Sequence, residues 1–303
     1  MNTRRDFLKK TLAFGAAAVA ARPIGFTSPS LIADKWFDIS LAQWSLHRSF
    51  FSGESSAMDF ARIAKRDFGI GGIEYVNAFY KEGFSLSVAD ELKMRAEGEG
   101  VESLLIMCDG LGLLGDPDEG NRKQTVENHK IWIDAAKRMG CHSIRVNAGS
   151  VGSYNEQMKL AADGLSRLAD VGQASEINVI VENHGGLSSN GAWLSGVMQN
   201  VSHDYCGTLP DFGNFVIDRK TDESYDRYQG TEELMPFAKG VSAKSYNFND
   251  LGEETTIDYS RMLTIVKDAG YRGYVGVEYE GKRMSEPDGV RATKRLLQQL
   301  GGR

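Results

Sequence analysis

The sequence predicts an α/β chain that folds as a single-domain (β/α)8 TIM barrel behind an N-terminal export signal. Three observations predict it. Apolar, strand-like runs repeatedly end in polar residues able to do chemistry, as in Ile177-Asn178-Val179-Ile180-Val181-Glu182-Asn183-His184-Gly185-Gly186. Those polar tips recur at a nearly constant interval. Glu74, Asp109, Asn147, Glu182, Asp211, Lys244 and Glu278 are separated by 35, 38, 35, 29, 33 and 34 residues. Between the tips lie stretches with apolar residues at helical spacing. One strand plus one helix per interval gives a parallel sheet with right-handed crossovers, and eight such units close into a barrel.

Taken in order, 37–42 is a first strand leading into Gln43, Trp44, Ser45 and His47. A helix follows through Met58, Ala61, Ile63 and Phe68, then a second strand, 69–76, tipped by Glu74. The next helix begins near Ser87, with Val88, Leu92 and Met94 expected inward. Strand 101–108 precedes a helix whose stripe is Val126, His129, Trp132, Ala136 and Met139, stopped by Gly140. Strand 143–147 is followed by the capping box Ser153-Tyr154-Asn155-Glu156. After strand 177–182 a short helix carries Trp193, Val197 and Met198, and Asp211 tips the sixth strand. Residues 231–239 are expected to be helical despite Pro236. Asp258 caps a helix ended by Gly270, and 274–281 is the eighth strand, before a helix through Val290, Thr293 and Leu297.

The N-terminus reads differently. Thr3-Arg4-Arg5-Asp6-Phe7-Leu8-Lys9-Lys10 is a twin-arginine motif, followed by the mildly apolar 11–21 with Ala18-Val19-Ala20 as a cleavage site. The expected organisation is a signal peptide at 1–21, a linker at 22–35 and the barrel at 36–303. The apolar part is too short for the roughly 20 residues a spanning helix needs, so no stable membrane insertion is expected. A periplasmic enzyme that has used the twin-arginine export machinery follows. The net charge of -6 argues against a nucleic-acid partner. Cys108, Cys141 and Cys206 are too few for a disulfide framework and read as small core residues. The chain carries no signal that excludes a homo-oligomer.

The chemistry concentrates at the tips. Glu182, Asp211 and Glu278 would converge in the barrel mouth, where a divalent cation offsets their repulsion. Oxygen ligands favour a hard or borderline ion, Mn2+ first and Mg2+ next, with Co2+ or Zn2+ compatible. Gly110-Leu111-Gly112-Leu113-Leu114-Gly115 fits G-x-G-x-x-G, but Asp116-Pro117 follows rather than a helix. It reads as part of a mobile loop, 110–121, over the mouth. Trp44, Phe50, Phe51 and Tyr75 read as core or as a stacking surface for a sugar. No Gly-x-Ser-x-Gly elbow supports a serine hydrolase.

Val181-Glu182-Asn183-His184-Gly185-Gly186, Asp211-Phe212-Gly213-Asn214, Ala243-Lys244-Ser245 and Val277-Glu278-Tyr279-Glu280 resemble the sugar phosphate isomerase/epimerase group of xylose isomerase-like TIM barrels. The resemblance covers about residues 36 to 300. It implies a metal held by Glu, Asp, His and Glu, with Glu182, Asp211 and Glu278 matching the first, second and fourth. Ser242 stands where the His of a His-x-Lys pattern is expected, and Asn214 where a histidine follows the Asp. It also implies that Glu182 and Glu278 take and return a proton next to a carbonyl through an enediolate. Lys244 stabilises the oxyanion or pairs with a neighbouring tip. His184 binds a substrate hydroxyl, relays a proton, ligates metal or makes a buried bond. Glu74, His47, Arg145, Asn147 and Asn214 are further candidates for substrate contact. Three readings follow for the protein: an isomerase or epimerase of a non-phosphorylated sugar or keto-sugar, a lyase cleaving 3-keto-glycosides by elimination, and a non-enzymatic sugar-binding barrel. An abasic-site endonuclease is disfavoured by five histidines and the negative charge.

Overall fold

The computed structural model describes residues 35–303. The expected signal peptide and nearly all of the linker lie outside the described residues.

Eight strands form one parallel sheet: β1 Asp38–Ala42, β2 Gly72–Val76, β3 Glu102–Met107, β4 Ser143–Val146, β5 Asn178–Glu182, β6 Cys206–Leu209, β9 Val241–Ser245 and β10 Tyr274–Tyr279. Each pairs with its sequence neighbour, and β1 also pairs with β10. The circle closes through bridges Thr208↔Ala238 and Asp211↔Ser242, supported by Phe212 N–H donating to Ser242 O at 3.1 Å. Closure matters because an open parallel edge would leave backbone groups unpaired. Helices 60–68, 86–99, 119–139, 154–174, 191–201, 227–234, 259–268 and 286–299 surround the barrel.

Side chains alternate across each strand, and the two faces bury different chemistry. Outward residues such as Ile144, Val179, Val181, Val275 and Val277 pack against the helices in the main apolar core. Inside the barrel only Ala42, Val76, Leu105, Met107, Ile180 and Leu209 form an apolar cluster. The other inward positions include Ser40, Glu74, Arg145, Glu182, Ser242, Lys244, Gly276 and Glu278, all but Gly276 buried and polar. The interior therefore holds a small apolar cluster and an ionic cluster, with β1, β2 and β5 contributing to both.

Local signals worked where the chain could satisfy them locally. Glu156 accepts from Ser153 N–H at 2.9 Å, and Asp258 accepts from Arg261 N–H at 3.0 Å. Gly140 and Gly270 end their helices at φ 79° and 81°. Met94, expected inward, is 65% exposed. The buried stripe of its helix is Ala89, Leu92 and Ala96, and residue 94 lies about 200° around from Leu92. The helix expected at 231–239 instead spans Arg227–Leu234, capped by Asp226, and Pro236 falls in a 3-10 turn, Met235–Phe237. The short antiparallel hairpin β7 Val216–Asp218 with β8 Glu223–Ser224 had no sequence signal.

Loop 110–121, expected to be mobile, is tied down. Leu114 is fully buried, and Gly115 bridges to Ser150. Asn128 Nδ2 donates to Leu111 O at 2.8 Å, and Arg122 Nη1 to Asp116 O at 2.7 Å. Residues 119–121 already belong to the helix Glu119–Met139, capped by Asp118. Gly164 makes this possible, because a Cβ there would sit 1.8 Å from Leu114 O. We expect Gly164→Ala to destabilise by about 1–3 kcal/mol in urea unfolding, since the clash is with backbone. Gly98→Ala, on a helix with open space at its Cβ, should stabilise by about 0.5 kcal/mol. Equal effects at the two positions would mean that helix 154–174 does not clamp the loop.

Candidate active site

The ionic cluster of the barrel is assembled by strand parity. Glu182 is the last residue of β5, Asp211 lies two residues past β6, and Glu278 is next to last in β10. Each offers a carboxylate oxygen, and these atoms all lie within 4.8 Å of one another, fully buried or nearly so.

Asp211 is held from both ends. Its Oδ1 accepts from Gly213 and Asn214 N–H, each at 2.8 Å, while its backbone is latched by Asn183, whose Nδ2 donates to Asp211 O at 3.0 Å. Ser242 Oγ stands 2.7 Å from both Asp211 Oδ2 and Glu278 Oε2. One hydroxyl carries one proton, so it can donate to only one of these oxygens at a time. Glu278 Oε1 accepts from Lys244 Nζ at 2.8 Å, and the same ammonium is 3.8 Å from Asp211 and 3.4 Å from Glu280. Glu182 Oε1 accepts from Asn214 Nδ2 at 2.9 Å. Its Oε2 lies 2.8 Å from Arg145 Nε but out of line for a hydrogen bond, so neither atom has a directed partner.

The charges do not balance. Among the described residues, Glu74, Glu182, Asp211 and Glu278 share the interior with the cations Lys244 and Arg145 alone, and Arg145 is also engaged by Asp109 at 2.7 Å. Burial, against the pull of Arg145 and with Glu278 adding, pushes Glu182 up to about 7. Burial likewise raises Asp211 to about 7 against the pull of Lys244. Burial would raise Glu278 too, but Lys244 holds it below the usual carboxylate range. Lys244, despite burial, is kept charged by Asp211 and Glu278. The missing positive charge, the undirected Glu182 Oε2 and the single Ser242 proton between two carboxylates all fit a hard divalent ion. Glu182, Asp211 and Glu278 would hold it through oxygen alone. Ser242 supplies a hydrogen bond where the resemblance implies a nitrogen ligand.

The remaining expected residues divide. Asn214 reaches Glu182, and Asn147 donates to Asp109 at 2.7 Å while its Oδ1 has no partner. His184 is exposed in the mouth; its ring makes no hydrogen bond among the described residues, and it stands outside the ligand group. Crowding by protein and the nearby Arg145 hold its imidazole below the usual histidine range. Three further candidates for substrate contact are placed as follows. Arg145 is buried and consumed by Asp109 and Glu182, so it positions Glu182. His47 sits on the rim, stacked on Trp44 at 4.8 Å with its Nδ1 2.7 Å from Trp44 O. Glu74 is not a tip: it accepts from Ser40 Oγ at 2.6 Å and fills the space left by Gly276, one inward layer below Glu278.

Asn183, Tyr246 and Glu280 went unassigned in the sequence. The last two continue the inward rows 242, 244, 246 and 276, 278, 280, so a period of two was the available signal. Tyr246 packs its hydroxyl against Gly213 beside Lys244.

A family profile described as Xylose isomerase-like TIM barrel matches residues 61–300. The chain belongs to this family. Solved barrels share the fold at low identity. A D-tagatose 3-epimerase-like protein has a TM-score of 0.67 and 19% identity, covering 87% of this chain and 97% of its own. The 3-keto-D-glucoside 4-epimerase YcjR from E. coli has a TM-score of 0.63 and 15% identity, covering 88% and 99%. A xylose isomerase-like TIM barrel protein from Mycobacterium smegmatis, in complex with magnesium, has a TM-score of 0.64 and 16% identity, covering 87% and 96%. In sequence, 64 residues are 31% identical to the 3'-dehydrocarminate deglycosidase alpha subunit of Microbacterium sp, covering 21% of this chain and 18% of that protein. This chain therefore spans about a fifth of the length of that relative.

Burial raises Glu74 to about 8, opposed by Ser40. A carboxyl whose folded pKa is raised contributes stability that is present below its unfolded value near 4 and lost as pH rises through about 8. Glu74→Gln keeps the neutral shape. Its unfolding midpoint should equal the wild type's near pH 4 and exceed it increasingly up to pH 8. A gap that does not change with pH would mean that Glu74 is ionised in the fold.

Proposed function

We propose that this xylose isomerase-like barrel is a divalent-metal-dependent isomerase or epimerase of a non-phosphorylated sugar or keto-sugar. The observation that carries the reading is the convergence of Glu182, Asp211 and Glu278 beside Lys244. A bound divalent ion would supply Lewis-acid polarisation of a carbonyl and of its neighbouring hydroxyl. The chain's own groups do the rest. Glu278, which Lys244 holds ionised, removes the proton from the carbon next to the carbonyl. The electron pair moves onto the carbonyl oxygen, and the Lys244 ammonium offsets the charge that develops there. Glu182, whose carboxyl keeps a proton up to about 7, returns one to the neighbouring carbon for isomerisation or to the other face of the same carbon for epimerisation, and Glu278 releases the proton it took to solvent. The acidic mouth repels phosphate, which argues against a sugar phosphate. Mn2+ remains the first choice of ion, with Mg2+ supported by the magnesium complex of a barrel of this fold. Export through the twin-arginine route to the periplasm is proposed from residues 1–21.

A second reading starts with the same proton removal and ends differently. The electron pair expels the substituent at the next carbon, cleaving a 3-keto-glycoside. The names of the keto-glucoside epimerase and the deglycosidase favour it as the runner-up.

Elemental analysis of the purified protein, before and after EDTA, with melting alongside, tests both. About one divalent ion per chain is expected, with a higher melting temperature when it is restored. Glu278→Gln should fold and lose at least about 100-fold in turnover of a keto-sugar. No bound metal and no melting shift with any divalent ion would leave a sugar-binding barrel without catalysis. Full activity of Glu278→Gln would remove Glu278 from the chemistry.

A further inference from the structure

One wall of the mouth is aromatic, and the proton-transfer reading makes no use of it. Trp44 lies two residues past β1, Phe51 ends the short helix His47–Phe51, and Phe79 ends the turn Asn77–Phe79 after β2. All three therefore stand at the C-terminal face of the barrel. Their ring centroids are 6.0 Å (Trp44–Phe51), 6.1 Å (Trp44–Phe79) and 4.9 Å (Phe51–Phe79) apart, which makes one continuous surface. Phe51 is 60% exposed, and Trp44 and Phe79 are half-buried. Contiguous exposed aromatic area is avoided on a protein surface unless something covers it.

The wall is joined to the acid centre by one carboxylate. Glu280 Oε1 accepts from the Trp44 indole N–H at 2.5 Å, and Glu280 Oε2 is 3.4 Å from Lys244 Nζ. His47 covers one face of the indole, so the ring is held in a single orientation. Glu280 adds negative charge to a mouth that already has too much. A glutamine could accept the same indole bond without that charge, so the carboxylate is costly to structure and marks a ligand contact. A carboxylate oxygen is a strong acceptor for a sugar hydroxyl.

We propose that Trp44, Phe51 and Phe79 form a second subsite for an apolar or aromatic ring attached to the sugar, with Glu280 taking a hydroxyl at the junction. The substrate is then a glycoside rather than a free sugar. A monosaccharide presents one C–H face and hydroxyls elsewhere, so a single aromatic ring covers what it offers. Three adjoining rings suit a second ring. The inference rests on the sugar reading of the carboxylate site and goes beyond it in naming what the sugar carries.

The test uses metal-loaded full-length protein and paired methyl and 4-nitrophenyl β-hexosides (gluco, galacto and manno), which lack the ketone and so are not turned over. Calorimetry should show the 4-nitrophenyl member of the bound pair at least about tenfold tighter than the methyl member. Phe51→Ser, at an exposed position, should keep its melting temperature. It should lose most of that preference while binding the methyl hexoside as the wild type does. Equal affinity within every pair, or a Phe51→Ser variant that weakens both members alike, would overturn the subsite. Binding of neither member of any pair would remove the sugar reading and the subsite with it, while metal-dependent melting would still report on the carboxylate centre.

Discussion

Three carboxylates brought out of water onto one spot are the constraint around which the rest of this molecule is arranged. At separations under 5 Å in a partly desolvated mouth, each pair of like charges costs several times what it would in water. The surrounding residues read as responses to that cost. Lys244 sits against Glu278, Arg145 against Glu182, and Asp211 is met by two backbone N–H groups and the Ser242 hydroxyl. Even so, Glu182 and Asp211 keep their protons up to about 7. Isolated buried charges are not tolerated, and a cation held by these oxygens, as proposed, would complete the arrangement.

The barrel lets such a site exist without unfolding the chain. Its helices bury the outward face of every strand in one large apolar core, and that core carries the stability. The interior is then free to carry polar groups from β4, β5, β9 and β10 beside a small apolar cluster. Gly276 shows how tightly the two demands are matched. A side chain there would occupy the place of the Glu74 carboxylate, which itself lies just below Glu278. A buried and largely neutral Glu74 supports the floor of the site without adding a full negative charge to it.

Rigidity at the mouth follows from the same economy of contacts. The segment from Gly110 to Asp118 is fastened by Asn128, Arg122, Ser150 and the buried Leu114, and Asn183 fastens Asp211 to β5. In the proposed reaction, fixed walls would keep the donors aimed where charge develops, which is how electrostatic preorganisation acts. Lys244 lies beside both Glu278 and Glu280, so one ammonium is common to the carboxylate centre and to the aromatic wall beyond it.

Much of this was legible in the sequence, for a physical reason. Strand and helix periods, glycine stops and capping residues are local, so the eight-fold repeat and the tips Glu182, Asp211 and Glu278 could be read from one chain. Parity along β9 and β10 also pointed to Tyr246 and Glu280, had it been followed two residues further. What only the tertiary structure decided was which polar groups satisfy one another. Arg145 and Glu74 carry the same residue types whether they meet a substrate or a neighbour. Their partners, Asp109, Glu182 and Ser40, lie between 34 and 37 positions away and are chosen by barrel closure. The fastening of loop 110–121 by Asn128 and Gly164 has the same origin. Local sequence specifies a conformation, while the pairing of buried charges depends on which strands the closed sheet places side by side.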